Sequence, residues 1–164
     1  MYIVPKKFDG KAERYDYIGQ QLKLILGETQ EWCSALANAS ALLMLMMPGL
    51  NWAGFYLEKG GELVLGPFQG KPAVARIAMG AGVCGTALQK RCAQVIENVH
   101  TCDNHIACDL SSAAEIVVPI LSGGEIIGVI DIDSPHVGHF DGEDLHGLEA
   151  VAAALGAFYG RVNR

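Results

Sequence analysis

Two glycine turns, each set between runs of alternating apolar residues, restrict the fold of this chain more than any other feature. "NWAGFYL" and "ELVLGPF" flank Glu58-Lys59-Gly60-Gly61, while "EIVVPIL" and "EIIGVIDID" flank Ser122-Gly123-Gly124. Alternation sends successive side chains to opposite faces, and short Gly turns between such runs close β-hairpins. Residues 74–78 and 93–96 read as two further extended pieces, separated by a Gly-rich turn and a short helix starting near Val83. The ends of the chain switch to the helical period. Residues 14–26 predict a first helix that Gly27 ends. Residues 29–47 predict a second, with Trp32, Leu36, Ala39, Leu43 and Met46 in one stripe before Pro48 stops it. A last helix starts near Asp141 and aligns Leu145, Leu148, Val151, Leu155 and Phe158. The expected class is α+β: a central antiparallel sheet of about six strands with the terminal helices packed on one face. Neither a repeat nor a linker divides the sequence, so residues 1–164 are expected to form one domain, with 1–13 as an N-terminal extension.

Composition excludes several classes of function. Hydrophobic residues make up 51% and charged residues 18%, enough apolar material for a core and too little charge for disorder. The formal net charge is -6 and no Lys/Arg block is present, so no nucleic-acid footprint is written here. No apolar run approaches the roughly 20 residues that span a bilayer, and "MYIVPKKFDGKAERYDY" lacks the apolar segment of a secretory signal. No membrane association is expected, and the expected location is cytoplasmic.

Strand alternation then groups side chains that carry chemistry. Trp52 and Tyr56 fall on one face of their strand with Gly54 between them. Asp131 and Asp133 share a face opposite Ile130 and Ile132. Two carboxylates at the end of an apolar strand either meet solvent or face a cation or ligand, because burying them unpaired is costly. Glu115, at the head of its strand, is either an exposed edge carboxylate or a third member of such a site.

Cys33, Cys84, Cys92, Cys102 and Cys108 are odd in number, which argues against a disulfide framework in a reducing compartment. Such cysteines are small buried hydrophobes, metal ligands or working thiols. His100, Cys102, His105 and Cys108 crowd into H-x-C-x2-H-x2-C. Structural zinc sites pair two knuckles across a longer arm, and this segment has no second knuckle, so no metal is expected. His100 and His105 are expected to bond loop backbone, with proton donation as the alternative. Cys33 and Cys92 suit inert burial. Cys84 sits in "GAGVCGTAL", at the start of a short helix whose N–H groups and dipole favour a thiolate. If its sulfur meets that of Cys108, the two make a nucleophile and resolving pair; inert burial is the alternative.

Taken in order, "NWAGFYL", "LVLGPFQGKPA", "GVCGTA", "HIACD", "AAEIVVPI" and "IIGVIDIDS" resemble the free methionine-(R)-sulfoxide reductases, small enzymes built on a GAF domain. The resemblance runs from about Trp32 to the final helix and implies specific roles. Cys108 matches the nucleophile, and Cys84 a cysteine that forms a disulfide with it during turnover. Trp52 and Tyr56 match the aromatic walls of the substrate pocket. Glu115, Asp131 and Asp133 match acidic residues that hold the substrate. The implied substrate is free methionine-(R)-sulfoxide; the implied reductant is external and of thioredoxin type, with no bound cofactor. A homodimer through terminal helices is expected. One departure stands out: Val74 occupies a position where many relatives carry a third cysteine. Cys92 and Cys102 match no role. The competing classes are a GAF module that senses a small ligand without turnover, and a thiol redox switch.

Overall fold

Both glycine pairs turn the chain as the alternation predicts. In the computed structural model, which describes residues 6–101 and 109–163, Gly60 and Gly61 have φ of +67° and +88°, and Gly123 and Gly124 have +61° and +85°. Two successive positive φ values give a turn whose twist matches that of paired strands, and glycine adopts them without strain. The strands are β1 (Trp52–Lys59), β2 (Glu62–Gly70), β3 (Arg76–Ala78), β4 (Gln94–Ile96), β5 (Ala114–Ser122) and β6 (Glu125–Ser134). They form one six-stranded sheet in the order β3-β2-β1-β6-β5-β4, with antiparallel pairing throughout.

Four α-helices accompany the sheet among the described residues: α1 (Lys11–Gly27), α2 (Trp32–Met46), α3 (Gly82–Lys90) and α4 (Gly142–Val162). The expected arrangement holds for α1, α2 and α4, which cover one face. Ile18, Leu22 and Ile25 of α1 and Leu148, Val151, Leu155 and Phe158 of α4 pack there, together with Leu36, Ala39 and Leu43 of α2. They meet Ala53 and Phe55 of β1, Ile116 and Val118 of β5, and Ile130 and Ile132 of β6. The short α3 lies on the opposite face, where Val83, Cys84, Ala87 and Leu88 pack with Trp52, Tyr56, Val117 and Val129. Each sheet face therefore has its own core.

Two local expectations needed correction. The first helix begins at Lys11, earlier than its apolar stripe suggests, because the Glu13 carboxylate accepts the Asp9 N–H at 2.9 Å and supports the first turn. Cys33 and Cys92 are exposed thiols, not buried ones. Cys33 lies off the buried stripe of α2, and Cys92 follows Arg91, whose left-handed conformation ends α3 just before the edge strand β4. No helix among the described residues is long and apolar enough to cross a membrane.

The start of α4 shows how this chain satisfies a buried carboxylate. Asp141 caps the helix by accepting the N–H groups of Glu143 and Asp144, and Asp144 accepts the Asp141 N–H in return. Tyr15 donates to the buried Asp144 at 3.0 Å, and Lys11 pairs with both acids. This network ties α1 to α4.

Candidate active site

Residues directly opposite in an antiparallel pair point to the same side of the sheet. Trp52 lies opposite Asp133 on β6, and Asp133 lies opposite Glu115 on β5. One row on, Phe68, Gly54, Asp131 and Val117 are aligned across β2, β1, β6 and β5. Glu115, Asp131 and Asp133 therefore share the α3 side, and each is 5% exposed. The alternative of a solvated or edge position is excluded for all three.

The aromatic side of the site is a stack. Trp52 stacks on Phe68, with centroids 5.2 Å apart and planes 13° apart, and on Tyr56 at 6.1 Å and 23°. Trp52 donates Nε1–H to the Lys71 carbonyl, and Tyr56 donates its hydroxyl to the Val74 carbonyl, each at 3.0 Å. Both rings are thus fixed as walls, with their polar atoms bonded to the segment after β2. Gly54 makes the stack fit. A Cβ there would stand 2.3 Å from Phe68 Cβ and 2.7 Å from Trp52 Cη2. Gly54→Ala is expected to cost about 1–3 kcal/mol through overpacking and to displace the indole. A lowered urea midpoint with altered tryptophan emission checks this; an unchanged midpoint would mean that the stack yields freely.

Charge is the other half of the site. Burial raises the Asp133 pKa to about 9, with repulsion from Asp131 and Asp109 adding to it and a hydrogen bond from Ser112 opposing it. Glu115 and Asp131 are likewise pushed well above the carboxylate range, first by burial and then by carboxylate repulsion, from Asp133 in one case and Glu115 in the other. Asp131 hydrogen-bonds with Glu115 and with the Cys84 thiol, while its Oδ1 has no partner among the described residues. Like charges in a low-dielectric setting resist joint ionisation, so the group retains protons at neutral pH.

Cys84 departs from the expectation of a thiolate. It is the third residue of α3, near the favourable end of the helix dipole. It is also 3% exposed, and burial followed by the fields of Asp131 and Glu115 pushes its thiol well above the usual range. Burial and three nearby carboxylates outweigh one short helix. Cys84 rests as a thiol.

Cys102, His105 and Cys108 lie outside the described residues, so the crowded histidine–cysteine segment is described only at its ends. His100 is exposed. The residue after Cys108 is clear. Asp109 accepts the Ser111 N–H and hydroxyl at 2.9 and 2.8 Å and the Lys71 ammonium at 3.0 Å, which hold its carboxyl well below the usual range. Ser112 accepts the Asn51 amide at 2.9 Å and bonds Asp133. Sequence reasoning missed Asn51, Phe68, Lys71, Asp109 and Ser112. Only Asp109 carried a readable signal, the Asp-x-Ser spacing of a side-chain turn; the other links join segments far apart in sequence.

The assembled site offers a cationic ligand buried carboxylates, offers an apolar group an aromatic wall, and has a thiol and available protons beside both. The GAF domain family model matches residues 22–157. The free methionine-R-sulfoxide reductase of Escherichia coli (strain K12) is 47% identical over 145 residues, 88% of each chain. That of Saccharomyces cerevisiae is 45% identical over 132 residues, covering 76% of this chain and 73% of the yeast protein. The X-ray structure of free methionine-R-sulfoxide reductase from Neisseria meningitidis in complex with its substrate superposes with a TM-score of 0.94 at 38% identity, covering 100% of both chains. With this fold, this site and these relatives, the chain belongs to the GAF-domain family of free methionine-R-sulfoxide reductases.

Proposed function

We propose that this protein reduces free methionine-(R)-sulfoxide to methionine, using Cys108 as nucleophile, Cys84 as resolving thiol and an external dithiol of thioredoxin type as reductant. The observation that carries this reading is the grouping of Glu115, Asp131 and Asp133 with Trp52 and Cys84 on one sheet face. A free amino acid brings an α-ammonium that a peptide bond abolishes, and buried carboxylates reward that charge. Trp52 supplies the apolar surface for the thioether end. Glu115 or Asp133, holding a proton at neutral pH, donates it to the sulfoxide oxygen.

The Cys108 thiolate attacks the sulfoxide sulfur while the carboxyl protonates the oxygen, which transfers to Cys108; methionine leaves and Cys108 becomes a sulfenic acid. The Cys84 thiol attacks that sulfur, its proton passes to the departing hydroxyl, and the oxygen leaves as water with formation of the disulfide. An external dithiol reduces the disulfide and is itself oxidised. No resident metal or cofactor is needed for these steps. The reading places the protein in the cytoplasm, where thiols stay reduced. It also includes a homodimer, which the exposed Leu24 on α1 and Leu45 on α2 support by leaving apolar surface on the helical side.

The test supplies each epimer of free methionine sulfoxide with a dithiol reductant. Turnover of the R epimer, and little of the S epimer, is expected; inertness toward the R epimer would sink the proposal. For the resolver, Cys84→Ser is expected to release about one methionine per chain in a single turnover yet to lose thioredoxin-driven cycling by at least about tenfold. Equal loss in both assays would remove Cys84 from the resolving role. The same experiment asks whether Cys84 suffices where Val74 replaces a third cysteine.

A further inference from the structure

Cys84, Glu115 and Asp131 come from three separate elements, and each offers a ligand atom within 4.8 Å of the other two. All three are buried. A thiol beside two carboxylates is a donor set that a borderline-soft cation accepts, whereas magnesium and calcium prefer oxygen alone. An independent observation points to a ligand: Asp131 is 5% exposed, yet its Oδ1 has no hydrogen-bond partner among the described residues. Two buried carboxylates outside the cluster are served by a cation, Lys71 for Asp109 and Lys11 for Asp144. An unserved buried acceptor costs free energy that a bound cation would recover.

The geometry needs only modest adjustment. A tetrahedral ion with sulfur at about 2.3 Å and oxygen at about 2.0–2.2 Å holds its donors about 3.3–3.7 Å apart. Side-chain rotations that draw the group together by about 1 Å reach that spacing, and three protein donors leave a fourth position for water. We propose that Cys84, Glu115 and Asp131 form an inhibitory site for a divalent cation of the zinc class, which takes the place assigned above to the substrate ammonium. The competition rests on the reductase reading; cation binding does not.

The test uses the full chain with Cys33, Cys92, Cys102 and Cys108 changed to serine, leaving Cys84 as the one thiol of the original five. Titration with Co2+ is expected to give a sulfur-to-cobalt charge-transfer band saturating at one ion per chain. Asp131→Asn in this background is expected to weaken binding at least tenfold, and Glu115→Gln, an equally conservative change, to do the same. A missing band, or an affinity indifferent to both substitutions, overturns the site. Excess free methionine-(R)-sulfoxide, unable to turn over here, is expected to bleach the band; a band that persists overturns the competition. Failure of the unmodified protein to reduce the R-sulfoxide would strike the reductase reading and leave the cobalt result standing.

Discussion

Replacing Cys108 by serine is expected to lower turnover of free methionine-(R)-sulfoxide by about 1000-fold or more, a barrier increase of about 4 kcal/mol. A serine hydroxyl does not ionise near neutral pH and is a weak nucleophile without an activating base. Nor can it form the sulfenic acid that Cys84 would resolve. In the proposed reading ground-state binding draws on other groups, the buried Glu115, Asp131, Asp133 and Trp52, so the dissociation constant of the sulfoxide is expected to move less than about threefold while kcat collapses. Rapid-quench measurement of methionine release, paired with calorimetric binding, separates the two quantities. Undiminished release would assign the attack to another thiol. Parallel loss of binding would mean that Cys108 shapes the pocket instead of reacting in it.

Asp133→Asn is expected to move activity and stability in opposite directions. Burial pushes the Asp133 pKa up to about 9 from the ordinary aspartate value of 3.8. The native state therefore binds more protons than the unfolded state across that interval, and stability falls as pH rises from about 4 to about 9. Asparagine keeps the shape and removes the charge that burial penalises. The variant is expected to be more stable than the parent by at least about 1–2 kcal/mol at pH 8, with a smaller gain at pH 5. Activity is expected to fall at least about 100-fold, because the carboxylate that would meet the ammonium or protonate the oxygen is gone. Urea titrations at the two pH values, beside steady-state rates, decide the matter. A variant less stable at pH 8 than its parent would show that Asp133 is better paired than its surroundings indicate.

The sequence was legible where its information was local. Two Gly-Gly turns and the alternation around them define both hairpins, the shared face of Trp52 and Tyr56, and that of Asp131 and Asp133. Alternation cannot say which face of one strand joins which face of the next, so Glu115 became a site residue only through its register with Asp133. The state of Cys84 shows the same limit. A helix N-terminus is visible in "GVCGTA", whereas the acids that outweigh it arrive from β5 and β6. The Lys71–Asp109 pair spans 38 positions of sequence, and no local pattern announces such a link. Cys33 and Cys92 failed for a simpler reason: free cysteine is among the most buried residue types, so residue type argued for the inside while the outer face of α2 and the turn before β4 put both thiols outside.

The division of the sheet into two faces has a practical consequence for redesign. On β1 the even-numbered positions Trp52, Gly54 and Tyr56 belong to the α3 side, while Ala53 and Phe55 belong to the side of the terminal helices. On β6 the parity is reversed, with Asp131 and Asp133 set against Ile130 and Ile132. A library aimed at other oxidised amino acids can therefore vary one parity of each strand and leave the core under the terminal helices untouched.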